Sequence, residues 1–356
     1  MSQTITLALD AMGSDAGSGP LVEGAAQLSR EDSGLHVVLV GDEVEISEHL
    51  AQQRYDASRI AIVHAPESVP MDCKPAEALE ASPDCSVLVA ARLVRDGHAD
   101  ALVSAGNTGA VILAASKTFQ RLPGIRRAAL AAVYPTEQRH GPRDDPFALM
   151  LDVGATLTCT AEDLVGFAVM GSAYSRIISD IGRPRVALLS NGSEPSKGTP
   201  AIVEAHARLL QMQGIEFVGN VEGLDIPRGS VDVVVTNGFM GNVVLKMLEG
   251  IGEVISDLAQ DAYARKFLWR FGLTMLSSGL RQIQRALDWE EYGGAPILGF
   301  AQPIIKAHGR SRAKAIANAC KVAAKASRSD MIRVIERAVA RIPDEDGEEE
   351  ARTRDP

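Results

Sequence analysis

No stretch of this chain approaches the ~18 uninterrupted apolar residues that a membrane-spanning helix needs. Its opening, Met1 to Asp10, reads as a strand and not as a charged leader followed by an apolar core. The expectation is a cytoplasmic protein that is at most peripheral at the inner face of the plasma membrane. Cysteine is scarce as well: Cys73, Cys85, Cys159 and Cys320 form no C-x-x-C pair and follow no zinc-ligand spacing. That pattern fits a reducing compartment with buried thiols, and it points to no metal site. Several signatures are also missing. There is no G-x-S-x-G elbow, so a hydrolase of that type has no local support. DAMGSDAGSG (10–19) lacks the G-x-G-x-x-G register of dinucleotide binding, and SNGSEPSKGT (190–199) has Lys and Gly exchanged relative to a P-loop.

A surplus of positive charge is absent too. The net charge of -10 disfavours nucleic acid as a partner, but residues 343–356 hold seven acids and two arginines, so half of the excess lies in that tail. The tail is expected to be disordered. The remaining residues, 1–342, are expected to form one large α/β catalytic unit, with any break between two lobes near 120–150. With 46% hydrophobic residues the chain can bury a sizeable core without disulfides.

What the sequence does contain is an alternation. Short β-branched and apolar runs at 4–10, 36–40, 59–63, 99–104, 185–190 and 231–236 are separated by helical patterns such as 161–179, 200–213 and 239–260. Continuous apolar strands between helices predict an α/β fold, a mainly parallel sheet with helices on both faces. Residues 128–152 break the rhythm, with AALAAVYP and FALMLDV flanking a loop rich in Gly, Pro and charge. An antiparallel excursion is expected there.

Ligands in such sheets sit where loops leave the carboxyl ends of strands. Four such loops are rich in Gly, Asn and Ser: DAMGSD (10–15), SAGNTGA (104–110), SNGSEPSKGT (190–199) and TNGFMGN (236–242). Small residues let backbone N–H groups approach a ligand, and a helix N-terminus adds partial positive charge, so these loops suit a phosphate or a developing oxyanion. Taken singly, each is also an ordinary tight turn. If they gather on one rim, the candidate binding residues are Asp10, Gly13, Gly106, Asn107, Thr108, Gly109, Asn191, Ser193, Ser196, Asn237 and Gly241. Lys197 is the candidate cation, and by position alone it also reads as a surface lysine. Asn242 either caps the helix that follows or aims an amide donor at substrate oxygen. His308 and Arg310, in HGRS, are candidates to assist phosphate binding or are simply structural.

Together with LDVGA (151–155), FVGNVEG (217–223), GGAPILG (293–299) and HGRS (308–311), these loops resemble the bacterial acyl-[acyl carrier protein]:phosphate acyltransferases, in the family's order over most of the chain. The resemblance implies a homodimer with a fold like the phosphate acetyltransferases and isocitrate dehydrogenase-like enzymes, with a helical dimer segment. It implies transfer of a long-chain fatty acyl group from acyl carrier protein to inorganic phosphate, giving acyl phosphate for glycerolipid synthesis, with no cofactor. It places Lys197 and Asn242 at catalytic positions. It also implies further partners, namely the membrane surface and the downstream glycerol-3-phosphate acyltransferase. The family usually carries Gly where this chain has Ser14, Asp where it has Asn237, and Lys-Asp-Ser-Ser-Met where it has SPDCSV (82–87). Because the Asn237 change removes a carboxylate, a catalytically weakened lipid-synthesis scaffold stands as one alternative. A short-chain phosphate acyltransferase using acyl-CoA is another.

Arg265, Lys266, Arg270, Arg281 and Arg285 form a basic cluster in an acidic chain, beside an apolar helical face of Leu276, Leu280, Ile283 and Leu287. Such a segment can dock an acidic carrier protein or an anionic membrane, or it can pack a dimer interface.

Overall fold

The computed structural model describes residues 4–142, 144–265 and 294–342; the five basic docking candidates lie outside the described residues or, for Arg265, have no described side chain. The strands are β1 (Ile5–Asp10), β2 (Leu35–Gly41), β3 (Ile60–His64), β4 (Ala101–Ser104), β5 (Ala129–His140), β6 (Asp145–Leu151), β7 (Arg185–Leu189), β8 (Glu216–Val221), β9 (Val233–Val235), β10 (Ala295–Leu298) and β11 (Ile304–Lys306). They form one sheet in the order β3-β2-β1-β4-β11-β10-β5-β6-β9-β7-β8. In the first half of the chain the helices are α1 (Gly19–Glu31), α2 (Glu43–Ala51), α3 (Pro75–Ala81), α4 (Ser86–Arg95) and α5 (Thr108–Thr118). They are followed by α6 (Ala161–Ile178), α7 (Pro200–Gln211), α8 (Asp225–Arg228), α9 (Gly238–Arg265), α10 (Ala313–Arg328) and α11 (Met331–Val339). None of the described helices is long and apolar enough to cross a membrane.

Burial on both faces explains the unbroken apolar runs. Leu7 and Leu9 of β1 enter a core shared with α1 and α10, while Ala8 between them enters a second core shared with α4 and α5. In β9, Val233 and Val235 face one way and Val234 the other. Each fully buried Val or Leu contributes about 1.5–3 kcal/mol relative to exposure. Helix α6 is buried over most of its length, and its start is fixed by a capping box in which Thr160 and Asp163 satisfy each other's backbone N–H groups.

The expected antiparallel excursion is the β5–β6 pair, running from Ala131↔Leu151 to His140↔Asp145. The reversal goes further than the sequence pattern showed. β1, β2, β3, β4 and β11 run in one sense, and three successive antiparallel pairings, β11/β10, β10/β5 and β5/β6, then turn it over. β6, β9, β7 and β8 are parallel among themselves but opposite to β1. The loops after β1 and β4 therefore leave strands of one sense, and those after β7 and β9 leave strands of the other. A single shared rim is replaced by two half-sheets that meet over β5.

Candidate functional site

The loops after β1 and β4 are tied together by a buried carboxylate. Asp10, the last residue of β1, lies in register with Ser104 at the end of β4, and Ser104 lies in register with Lys306 at the end of β11. The Ser104 hydroxyl donates to Asp10 Oδ2 at 2.7 Å and the Met12 N–H donates to Oδ1 at 3.3 Å. Burial raises the Asp10 pKa, while hydrogen bonds from Ser104 and Ser86 oppose the rise. Gly13 turns with φ 73° and brings its backbone against Gly106, where an added Cβ would stand 3.4 Å from Gly106 Cα. Asn107 caps α5: its Oδ1 accepts from Ala110 N at 3.2 Å, and its Nδ2 donates to the Met71 carbonyl at 2.9 Å. Gly109 packs on Pro75. Of these candidates, Asp10, Gly13, Gly106 and Asn107 form a closed knot, and Thr108 opens onto a larger space.

That space is a cavity of about 430 Å³ lying over β5. It is lined by the polar side chains of Asp15, Thr108, Asn242, Lys246, Glu249, Lys306 and His308 together with the apolar Leu130, Ala132, Val133, Val153, Leu245, Leu248, Ile251 and Ile255. The α9 contributors Asn242, Leu245, Lys246, Leu248, Glu249 and Gly252 recur at helical spacing, so one face of α9 forms one wall.

The start of α9 separates the two readings left open for its asparagines. Asn237 is the cap, its Oδ1 accepting from Met240 N at 2.9 Å. Asp provides the same acceptor, so the local role survives the loss of a carboxylate. Asn242 takes no part in capping, and among the described residues nothing is hydrogen-bonded to its amide, which faces the cavity. Two glycines set its position. A Cβ on Gly238 would stand 2.7 Å from Asp152 Oδ2 and 2.8 Å from the Thr156 carbonyl, and one on Gly241 would overlap the Asp152 carbonyl oxygen. The Asp152 carboxylate is itself held by N–H groups of Leu130, Gly154, Ala155 and Thr156 at 2.9, 3.1, 2.9 and 2.5 Å. LDVGA is thus the anvil on which the helix start rests.

The 308–311 loop is clamped from β1. Ser14 Oγ donates to the Gly309 carbonyl at 2.8 Å and Asp15 N donates to it at 3.0 Å, so Ser14 serves a local contact. His308 Nε2 lies 3.4 Å from Lys246 Nζ. Burial, reinforced by the Lys246 ammonium, lowers the His308 pKa, so the imidazole is neutral near neutrality. Arg310 is exposed, and its N–H donates to His308 Nδ1 at 3.4 Å.

Lys197 is placed elsewhere. It is exposed in the β7–α7 turn, where its N–H donates to the Glu194 carbonyl at 3.0 Å and its stem lies over Gly192. The turn is pinned by Asn220, whose Nδ2 donates to the Glu194 carbonyl at 2.9 Å. Asn191, Ser193 and Ser196 are exposed with it. The following residues, Thr199 and Pro200, share a shallow pocket with Asn237 and Phe239, so this turn flanks the α9 start without lining the Asn242 cavity.

Sequence reasoning passed over Lys306, Asp15, Lys246 and Glu249. The helical spacing of Lys246 and Glu249 from Asn242 was available as a signal. Lys306 offered one as well, a lone cation closing an apolar run two residues ahead of His308. Among the described residues no cluster of His, Cys, Asp or Glu could hold a metal ion.

Residues 5–334 match the family model described as fatty acid synthesis protein. The chain is 43% identical over 324 residues to a phosphate acyltransferase of Nitratidesulfovibrio vulgaris, with 91% of each chain covered. It is 43% identical over 343 residues to one of Myxococcus xanthus, covering 95% of each. Among solved structures it is similar to a phosphotransacetylase from Streptococcus pyogenes, with a TM-score of 0.61 at 17% identity over 93% of this chain and 94% of that one. It is also similar to a 4-hydroxythreonine-4-phosphate dehydrogenase from Klebsiella pneumoniae, with a TM-score of 0.52 at 15% identity over 91% and 100%. At those identities the structural likeness speaks for the fold.

Proposed function

The chain belongs to the fatty acid synthesis protein family as a phosphate acyltransferase of fatty acid and phospholipid synthesis, and from that premise we propose that it moves a long-chain acyl group from acyl carrier protein to inorganic phosphate in the cavity between α9 and β5. The observation that carries this reading is that one cavity is lined both by polar groups, Thr108 and Asn242 among them, and by apolar side chains of α9 and β5. An acyl thioester needs both: its carbonyl needs donors and its chain needs apolar cover.

The chemistry asks little of acid–base groups. A phosphate oxygen attacks the thioester carbonyl, a C–O bond forms, and the C–S bond breaks as the tetrahedral intermediate collapses. The thiolate leaves with a parent pKa of about 8.5 and takes its proton from solvent. What the site must supply is donors for the oxyanion and positive charge for phosphate. Asn242 supplies an amide whose geometry the Asp152 anvil fixes. Lys197, on the turn flanking the same helix start, adds an ammonium to the field that the incoming anion meets. The acidic carrier docks through the basic segment 265–285.

The test is acyl phosphate formation from palmitoyl carrier protein and inorganic phosphate, run beside short-chain acyl-CoA. Asn242→Ala and Lys197→Ala are expected to lower turnover by more than ~10²-fold. Near-wild-type rates in folded variants would remove those residues from the chemistry, and preference for short acyl-CoA would overturn the long-chain reading.

A further inference from the structure

We propose that Lys306 is the cation that receives a phosphoryl group in the cavity shared with Asn242. The inference rests on the acyl-transfer reading above and adds to it a residue that neither the motifs nor the capping pattern singled out.

Lys306 ends β11, and its side chain lines the cavity although the residue is only 7% exposed. A buried ammonium is stable only where something compensates its charge. Among the described residues no carboxylate comes within ion-pair distance, 4.0 Å, of its Nζ. Its described hydrogen bond goes to the Ala307 carbonyl, and an ammonium carries three donors. Asp10, the nearest fixed acid by strand register, has both oxygens engaged by Ser104 and Met12.

The surroundings are arranged for an anion that arrives and leaves. Asp10 and Asp15 support the charge on Lys306 from a distance, and Lys246 opposes it from α9, with His308 and Arg310 on the adjoining loop. Burial lowers the Lys306 pKa to about 8, so the group is still mostly protonated at neutrality. A cation inside a partly desolvated cavity acts on a bound anion more strongly than one on a solvated turn. Lys306 is such a cation, and the exposed Lys197 is not.

A phosphoryl group reaches this site from two sources: the inorganic phosphate that attacks, or a phosphate ester on the arm that carries the thioester. Steady-state kinetics on the full chain separates them. With Lys306→Met, the KM for inorganic phosphate is expected to rise at least ~10-fold with the KM for acyl donor unchanged if Lys306 holds the nucleophile. The converse split assigns it to the donor's phosphate. Unchanged values for both in a folded variant would overturn the proposal.

Should Lys306→Met fail to fold, Lys306→Arg keeps the charge and moves the donors, and the same KM split is read on it. Binding gives an independent reading. Inorganic phosphate or the free phosphopantetheine arm should raise the melting temperature of the wild-type chain and of Asn242→Ala, and that rise should vanish in Lys306→Met; a rise that persists there would overturn the proposal. If the wild-type chain shows no phosphate-dependent acyl release, the acyl-transfer reading itself fails, and the binding arm still decides whether Lys306 holds a phosphoryl group.

Discussion

Replacing Gly241 with Ala tests the claim that backbone packing, through the LDVGA turn, fixes the reacting geometry. The new methyl would overlap the Asp152 carbonyl oxygen and stand 2.9 Å from Thr236 Cγ2. Asp152 has little freedom to retreat, because its carboxylate accepts four N–H groups and its own N–H donates to the Thr236 carbonyl at 2.9 Å. The first turn of α9 must yield instead, and Asn242 is the next residue. A displacement of roughly 1 Å at a reacting group costs about 10²-fold in rate, while overpacking of this kind costs about 1–3 kcal/mol of stability. The variant should therefore remain folded with a lowered melting temperature and lose about two orders of magnitude in turnover per folded molecule. Acyl phosphate release measured beside a thermal melt separates the two effects. A rate per folded molecule equal to wild type would refute the positioning argument, because the helix start would then be able to shift without consequence at Asn242.

Asn237→Ala removes the α9 cap and should cost about 1 kcal/mol, seen as a lower melting temperature. Asn237→Asp keeps the acceptor and places a negative charge at a helix N-terminus, so stability should hold and turnover should stay within a few-fold; a dead Asn237→Asp enzyme would show that the amide itself acts on substrate. Asp232 gives a pH prediction. Burial would raise its pKa, but hydrogen bonds from His140 at 2.5 Å and from Arg185 outweigh that and lower it from 3.8 to about 2. A depressed carboxylate pKa contributes stability that is fully present above the unfolded-state value and is lost as pH falls through the folded one. The wild-type melting temperature should accordingly drop between about pH 4 and pH 2, and Asp232→Asn should melt lower at pH 7 with a flatter acid limb. Parallel acid limbs would exclude the Asp232 network as their cause.

Much of the fold was written in local pattern. Apolar runs such as VDVVVT and RVALLS are buried on both faces, as helix-covered strands must be, and the same runs set the boundaries of β7 and β9 to within a few residues. The β5–β6 pair was legible because two apolar runs flank a turn-rich loop. β8, β10 and β11 were not, because Gly219 and Asn220 interrupt the apolar run of β8, Pro296 lies within β10 and Pro303 directly precedes β11.

The sequence by itself determined the class of fold, the loops at strand ends that could face an anion, and, through eight motifs in order, the family. Tertiary structure alone decided which of those loops share a cavity. Periodicity records how a segment is buried but not which distant segment it pairs with, and the pairing of β11 with β4 is what sets Lys306 beside Ser104 and Asp10. It also decided that Asn237 caps while Asn242 faces the cavity, and that Lys197 stays on an exposed turn beside it. Those assignments depend on the direction in which each half of the sheet runs, and that direction is fixed by three antiparallel pairings, one of which, β10 with β5, joins segments far apart in the chain.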